Sequence, residues 1–120
     1  MCSGYYYWAG TSQMYSSARD MAAFLAANLG VRAVDRSLRE AIELAHRGVV
    51  TISPHDLQGL AWEIVQGEGP TIVEKYGGLY NASAYIGMMP SRKLGIVILA
   101  NRGNLYPSEV GRGIMVELAR

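Results

Sequence analysis

Residues 58–101 have the sequence QGLAWEIVQGEGPTIVEKYGGLYNASAYIGMMPSRKLGIVILAN, and this stretch decides the fold. It contains apolar segments at 60–65, 71–75, 83–89 and 94–100, separated by glycine, proline and polar residues. Segments of this length and composition, bounded by such residues, are typical of β-strands. The links are too short for the crossover that parallel strands need, so the stretch predicts an antiparallel sheet of about four strands.

The first, second and fourth of these strands have features that predict how they lie in the sheet. Leu60, Trp62 and Ile64 share one side of the first strand, because side chains alternate between the two faces of a sheet. Gly77-Gly78 is expected to end the second strand, since glycine is depleted in strand interiors. The fourth strand is nearly all apolar and β-branched, which predicts burial on both of its faces.

Two helices are predicted before the sheet, at 17–29 and 38–46. Ser17 begins the first helix and Asp20 follows three positions later, which is the form of a capping box. Gly30 comes directly after this helix, where a glycine in the left-handed conformation would end it.

The second helix can be capped by Asp35 or Ser37, whose side-chain oxygens can accept hydrogen bonds from backbone N–H groups. His46 lies in its last turn and is interpreted as a surface residue rather than a ligand or a general base. Segment 49–57, which contains Pro54, is expected to be an irregular connection between the helices and the sheet.

A last helix is predicted from Pro107, because proline is favoured at the first helical position. Val110, Ile114 and Leu118 form an apolar stripe along it, which is expected to pack on the sheet. The order of elements predicts an α+β fold in which helices pack on an antiparallel sheet. The single domain 1–120 is divided into an aromatic N-terminal segment at 1–15, two helices within 16–48, the strands within 58–101 and the C-terminal helix at 107–120.

Composition narrows the classes of function. Half of the 120 residues are apolar, 18% are charged and the formal net charge is +1, which argues against nucleic acid or an anionic membrane as partner. Residues 1–10 lack the features of a signal peptide, and no apolar run has the length of a membrane span. Cys2 is the only cysteine, so an internal disulfide is excluded. The aromatic cluster at 5–8 is expected to be covered, either by the chain's own fold or by a partner surface.

Four stretches, in this order, make the chain resemble the C-terminal part of class C β-lactamases and related penicillin-binding peptidases and esterases. They are SSARDM at 16–21, QGLAWE at 58–63, KYGG at 75–78, and AYIGMMP at 84–90 running into LGIVILAN at 94–101. The resemblance implies a partial β-lactamase/transpeptidase-like fold. It also implies hydrolysis of an amide or ester through an acyl-enzyme in the complete enzyme, with a β-lactam, a D-alanyl peptide or an ester as substrate.

The resemblance also implies roles for individual residues. KYGG stands where the family has its K-T-G triad, so Lys75 would hold positive charge beside the catalytic serine and tyrosine. The backbone N–H of Gly78 would be one donor of the oxyanion hole. Gly77 would let a substrate backbone lie close to the strand. Asn104 would contact the substrate, or it is an asparagine of a surface turn. Tyr76 replaces the threonine that faces a substrate carboxylate, which puts β-lactam specificity in doubt.

The family's two other catalytic motifs, S-x-x-K and Y-x-N, are absent from these 120 residues. Neither Lys75 nor Lys93 follows a serine by three positions, so this chain is expected to be inactive alone. Three interpretations stay open: a partial hydrolase, a fragment that pairs with a separate N-terminal part or with itself, and a non-catalytic binding module. No cofactor or metal is expected, and Trp62 and Tyr85 are interpreted as core residues.

Overall fold

A computed structural model describes residues 14–120 and shows helices packed on one six-stranded antiparallel sheet. The strands are β1 (Val50–Ser53), β2 (Asp56–Gln58), β3 (Glu63–Val65), β4 (Ile72–Leu79), β5 (Ala82–Met89) and β6 (Leu94–Ala100), which lie in chain order across the sheet. The helices are α1 (Ala18–Asn28), α2 (Arg36–Ala45) and α3 (Pro107–Leu118), with a short 3-10 helix at Pro90–Arg92. The α+β prediction is confirmed. The aromatic cluster at 5–8 lies outside the described residues.

Helix α1 begins directly after Ser17, as predicted, whereas α2 begins at Arg36, two positions before its predicted start. Ser17 caps α1, because its hydroxyl accepts a hydrogen bond from the N–H of Asp20 at 3.1 Å. Asp35, rather than Ser37, caps α2 through the N–H of Leu38 at 2.9 Å. Gly30 follows α1 with a φ of +69°, a left-handed conformation that glycine adopts without steric cost.

The sheet has six strands rather than the predicted four, because segment 49–57 is not an irregular connection. It forms the β1–β2 hairpin, in which Ser53 pairs with Asp56. The Ser53 hydroxyl also donates to the Asp56 carboxylate at 2.6 Å across the turn. Pro54 lies in this turn, where its missing N–H removes no hydrogen bond from the sheet.

The predicted strand boundaries were wrong at two places. Gly77 and Gly78 do not end β4, since they pair with Ala84 and Ser83 of β5 in unbroken register. The first predicted strand is shorter than 60–65, because Ala61 has a φ of +65° and interrupts the extended backbone before β3.

One face of the sheet packs against α1, and its core is apolar. Its buried members are Leu25, Leu29, Trp62, Ile64, Val73, Ile86 and Met88. The ring of Trp62 stacks on Phe24 at 6.4 Å between centroids and meets the edge of His46 at 5.5 Å. Trp62 is therefore a core residue, as predicted.

The opposite face packs against α3, but not through the predicted stripe. The stripe residues Val110, Ile114 and Leu118 are 58%, 41% and 68% exposed. The buried positions of α3 are Pro107, Gly111 and Met115, and the core on this face contains Ile72, Tyr85, Met89 and Met115. A Cβ at Gly111 would lie 2.2 Å from the Tyr85 ring, so glycine is what lets the helix approach the sheet here.

Strand β6 is less buried than predicted. Helices α1 and α3 contact its two faces, yet none of its residues is fully buried. β6 lies at the edge of the sheet, so its outer side has no neighbouring strand within the described residues. None of the helices in residues 14–120 has the length and apolar character of a membrane-spanning segment.

Candidate functional site

The second half of β4 has one unpaired edge. Strand β3 pairs with β4 only from Ile72 to Glu74, whereas β5 pairs with it from Val73 to Leu79. Within the described part of the chain, the outer edge of the KYGG stretch at 75–78 therefore has no strand partner. Unpaired backbone N–H and C=O groups of this kind can bind an extended peptide-like ligand.

A cavity of about 580 Å³ lies beside this edge. Its lining comes from the end of β4, the β4–β5 turn and the stretch that leads into α3: Tyr76, Gly77, Gly78, Leu79, Tyr80, Ser83, Asn104, Leu105, Tyr106, Pro107 and Ser108. The volume is in the range of small-molecule sites. The lining residues are neutral, and tyrosine hydroxyls, Ser83, Ser108 and Asn104 supply the polar side-chain groups.

Contacts with the β4–β5 hairpin hold the second wall of this cavity in place. The Ser83 hydroxyl donates to the carbonyl oxygen of Arg102 at 2.9 Å and accepts from the N–H of Leu105 at 3.4 Å. Gly103 lies so close to the hairpin that a Cβ there would be 2.2 Å from the carbonyl oxygen of Tyr80. Among the described residues 14–120, the walls of this cavity come only from residues 76–108.

Four of the five predicted site residues meet at this cavity. Tyr76, Gly77, Gly78 and Asn104 all line it, although Asn104 is 26 positions away from Gly78. A Cβ at Gly77 or Gly78 would meet nothing within 4 Å, so space beside the strand is open. Asn104 has a φ of +55°, a left-handed conformation that asparagine tolerates better than most residues.

Lys75 does not line the cavity. By strand alternation its side chain lies on the same face as Val73, which belongs to the α1 side of the sheet. Its Nζ donates to a carboxylate oxygen of Glu63 at 2.7 Å and lies 5.7 Å from the centroid of the Tyr76 ring. The lysine side chain is 47% exposed, so this ion pair lies at the surface.

An ionic network behind the cavity, built around a fully buried carboxylate, was not predicted from the sequence. The Glu74 side chain is fully buried and accepts from the Tyr85 hydroxyl at 2.7 Å. Arg112 donates from Nε to both Glu74 oxygens, at 2.9 and 2.8 Å, and a second guanidinium nitrogen also contacts the carboxylate. An acidic residue inside the apolar 71–75 segment was the sequence signal, because a buried carboxylate needs partners.

The network changes the acid–base behaviour of its members. Burial, followed by the hydrogen bond to Glu74, raises the pKa of the Tyr85 hydroxyl above its ordinary value. The hydrogen bond with Glu74 also raises the pKa of the Arg112 guanidinium. Tyr85 is a core residue as predicted, but it stays protonated and acts as a hydrogen-bond donor.

The prediction that His46 lies on the surface was wrong. It is partly buried, and its Nε2 lies 3.0 Å from the side-chain oxygen of Asn28. Burial, followed by the charge of Arg39, lowers the pKa of His46. In residues 14–120, no three acidic, histidine or cysteine side chains are grouped so that they could hold a metal ion.

Both the sequence and the fold are similar to those of known proteins. The β-lactamase family model matches residues 2–119. A β-lactamase from Psychrobacter immobilis is 32% identical over 124 residues, covering 78% of this chain and 30% of that protein. A solved class C β-lactamase superposes with a TM-score of 0.77 at 22% identity, covering 86% of this chain and 36% of that one. The class C enzyme of Rhodobacter sphaeroides gives a TM-score of 0.73 at 24% identity, covering 87% and 38%. The chain thus spans about a third of the length of these relatives.

Proposed function

The chain belongs to the β-lactamase family, as the resemblance predicted, and we propose that it forms one wall of a serine hydrolase active site. In the complete enzyme this site would hydrolyse an amide or ester bond through an acyl-enzyme. The substrate class would be a β-lactam, a D-alanyl peptide or an ester. The chain would supply the strand edge and the cavity beside it, and another part of the enzyme would supply the nucleophile.

The observation that carries this proposal is the unpaired edge of KYGG next to a formed cavity. A substrate backbone can align along this edge, and Gly77 leaves room for a close approach. The N–H of Gly78 is the candidate oxyanion-hole donor. A donor of this type lowers the barrier by about 2.7–4 kcal/mol, so one backbone group would be a large contribution from this chain.

Lys75 would provide positive charge near the nucleophile. It is paired with Glu63 instead of facing the cavity, but exposed ion pairs contribute only about 0–1 kcal/mol. If Lys75 left Glu63 for another partner in the complete enzyme, little stabilising free energy would therefore be lost. The charge would favour the deprotonated form of a neighbouring catalytic tyrosine.

Mass spectrometry tests the expectation that the chain is inactive alone. The 120 residues contain no S-x-x-K and no Y-x-N motif, so incubation with benzylpenicillin should leave the mass unchanged. A stoichiometric covalent adduct on this chain would contradict the proposal.

Complementation tests the positive part of the proposal. The chain is co-expressed with an N-terminal β-lactamase fragment that carries S-x-x-K and Y-x-N, and hydrolysis of a chromogenic cephalosporin and of an aryl ester is measured. Activity should require both parts. It should fall at least about a hundredfold in Lys75→Ala, in line with the size of acid–base contributions. Lys93→Ala is the matched control, since Lys93 bonds the carbonyl oxygen of Leu29 instead. Equal activity of the two variants would contradict the role of Lys75.

A second candidate function is ligand binding without turnover. It is favoured by the cavity itself, whose described walls come only from residues 76–108. This alternative predicts saturable binding of a D-alanyl ester by the chain alone. It is contradicted if binding appears only after the N-terminal fragment is added.

A further inference from the structure

The ionic network around Glu74 connects β4 and α3, the two elements that carry opposite walls of the cavity. Glu74 and Tyr76 are two positions apart on β4 and therefore lie on the same face of the sheet. Arg112 and Ser108 are four positions apart on α3 and therefore lie on the same side of the helix. Tyr76 and Ser108 line the cavity, so the Glu74–Arg112 pair joins the elements that form its walls.

Stability alone is a weak explanation for this network, in which the Glu74 side chain is fully buried and the Arg112 side chain is 43% exposed. Replacing a buried ion pair by apolar residues of similar volume is often neutral or stabilising, so such a pair is weak evidence for a stabilising role. Helix α3 already has an apolar anchor in Met115, which is 0% exposed. In contrast, a carboxylate that accepts two hydrogen bonds from one guanidinium fixes both the distance between the two side chains and their relative orientation.

The Tyr85 side chain, on strand β5, also limits the distance between the sheet and α3. Its hydroxyl would lie 2.2 Å from a Cβ at Gly87, and its ring would lie 2.2 Å from a Cβ at Gly111. The ring therefore fills the space between β5 and α3 with little room for movement. Its hydroxyl is fixed by Glu74 at 2.7 Å.

We propose that Glu74, Arg112 and Tyr85, here called the clamp, set the spacing between β4 and the start of α3 and so determine which ligands the cavity admits. They are positioning residues, because their contacts are with each other and not with the cavity. This inference rests on the proposed function for the class of ligand, whereas the effect on the cavity walls can be measured without a ligand.

The test uses the full chain and two probes of different size, benzylpenicillin and N-acetyl-D-alanine methyl ester. Arg112→Lys keeps the positive charge but loses the forked geometry. We expect its Kd for one probe to change about tenfold more than its Kd for the other, since small displacements have large effects on fit. Arg36→Lys is the matched control, because Arg36 also pairs with a carboxylate, that of Glu40, but at an exposed site on α2.

A second variant keeps the proposal testable if Arg112→Lys fails to fold. Glu74→Leu combined with Arg112→Met removes both charges together, so that neither is left buried and unpaired. It should stay folded by circular dichroism and still shift the ratio of the two Kd values. Tyr85→Phe, which removes only the hydroxyl, should shift it less.

Amide chemical shifts and hydrogen exchange separate the two proposals. If neither probe binds the parent chain, the candidate function of ligand binding by this chain alone is wrong. The clamp is then tested by the amide chemical shifts and hydrogen exchange of the ligand-free proteins. Changed shifts at Gly78 and Leu105 in the double variant, with Arg36→Lys unchanged, would support the clamp. Shifts, exchange and any Kd ratio equal to those of the parent would overturn it.

Discussion

The two faces of the sheet are filled in different ways. The face under α1 holds a cluster of apolar side chains around Met88 and Trp62. The face under α3 holds a smaller apolar cluster and, beside it, the fully buried Glu74 with its partners Tyr85 and Arg112. The cavity lies on the second face, where Tyr76 and the start of α3 meet.

This difference separates two physical tasks. Apolar burial is non-directional and roughly proportional to area, so it stabilises the fold without fixing distances closely. Charged hydrogen bonds with forked geometry fix distances and orientations. We infer that the α1 face provides most of the stability and that the α3 face provides the geometry of the site.

The largest expected effect is on the α1 face, at Met88. This side chain is 0% exposed, and Met88→Ala removes two buried carbon atoms and the sulfur, leaving a cavity. We expect the free energy of unfolding to fall by about 2–5 kcal/mol, measured by urea denaturation. Met88→Leu, which conserves volume, should cost less than about 1.5 kcal/mol. Equal losses in both variants would show that this face also depends on precise shape.

The next effect is on the α3 face, at Gly111. A Cβ there would lie 2.2 Å from the Tyr85 ring, so Gly111→Ala forces the helix and the sheet apart. Overpacking of this kind costs about 1–3 kcal/mol of unfolding free energy. Gly113→Ala is the matched control on the same helix, because a Cβ there meets nothing within 4 Å. It should stabilise the helix by about 0.5–1 kcal/mol. Destabilisation by both variants would instead indicate a general intolerance of α3.

The features that the sequence predicted correctly depend on local signals. Ser17 and Asp35 cap their helices through residues three positions away. The β5 and β6 strands follow from apolar runs between turn residues. The β1–β2 hairpin was missed because its strands are short and Pro54 marks the turn instead of a break.

The features that could not be predicted depend on contacts distant in sequence. The buried side of α3 is set by Tyr85, which admits Gly111 and not the more apolar Val110. The burial of Glu74 could not be predicted, because its partner Arg112 lies 38 positions away on another element. The grouping of Asn104 with KYGG came from the resemblance, and the roles of these residues in a reaction stay predictions.

A smaller effect concerns how the helices of the two faces begin. The Ser17 hydroxyl caps α1, whereas α3 begins at Pro107 without a side-chain cap. Ser17→Ala should lower the free energy of unfolding by about 1 kcal/mol, because the N–H of Asp20 loses its partner. Ser16→Ala is the control, since the Ser16 hydroxyl makes only a long contact of 3.4 Å with the next residue's carbonyl oxygen. The cap has no role in stability if thermal unfolding of the two variants coincides.

The smallest expected effect is the pH dependence that His46 adds to the α1 face. Burial beside Trp62 lowers the pKa of His46 in the folded chain below the 6.5 of an exposed histidine. Well above pH 6.5 the imidazole is neutral in both states, and its contribution to stability is constant. Below pH 6.5 the unfolded chain binds the proton more readily, so the free energy of unfolding falls as the pH falls. The imidazole is only partly buried and solvent screens its charge, which keeps the effect small.

In His46→Gln, urea denaturation between pH 7.5 and about 5 should show a shallower loss of stability than in the parent, since glutamine does not titrate. An equal slope in both proteins would mean that acid sensitivity arises elsewhere and that the α1 face is indifferent to pH.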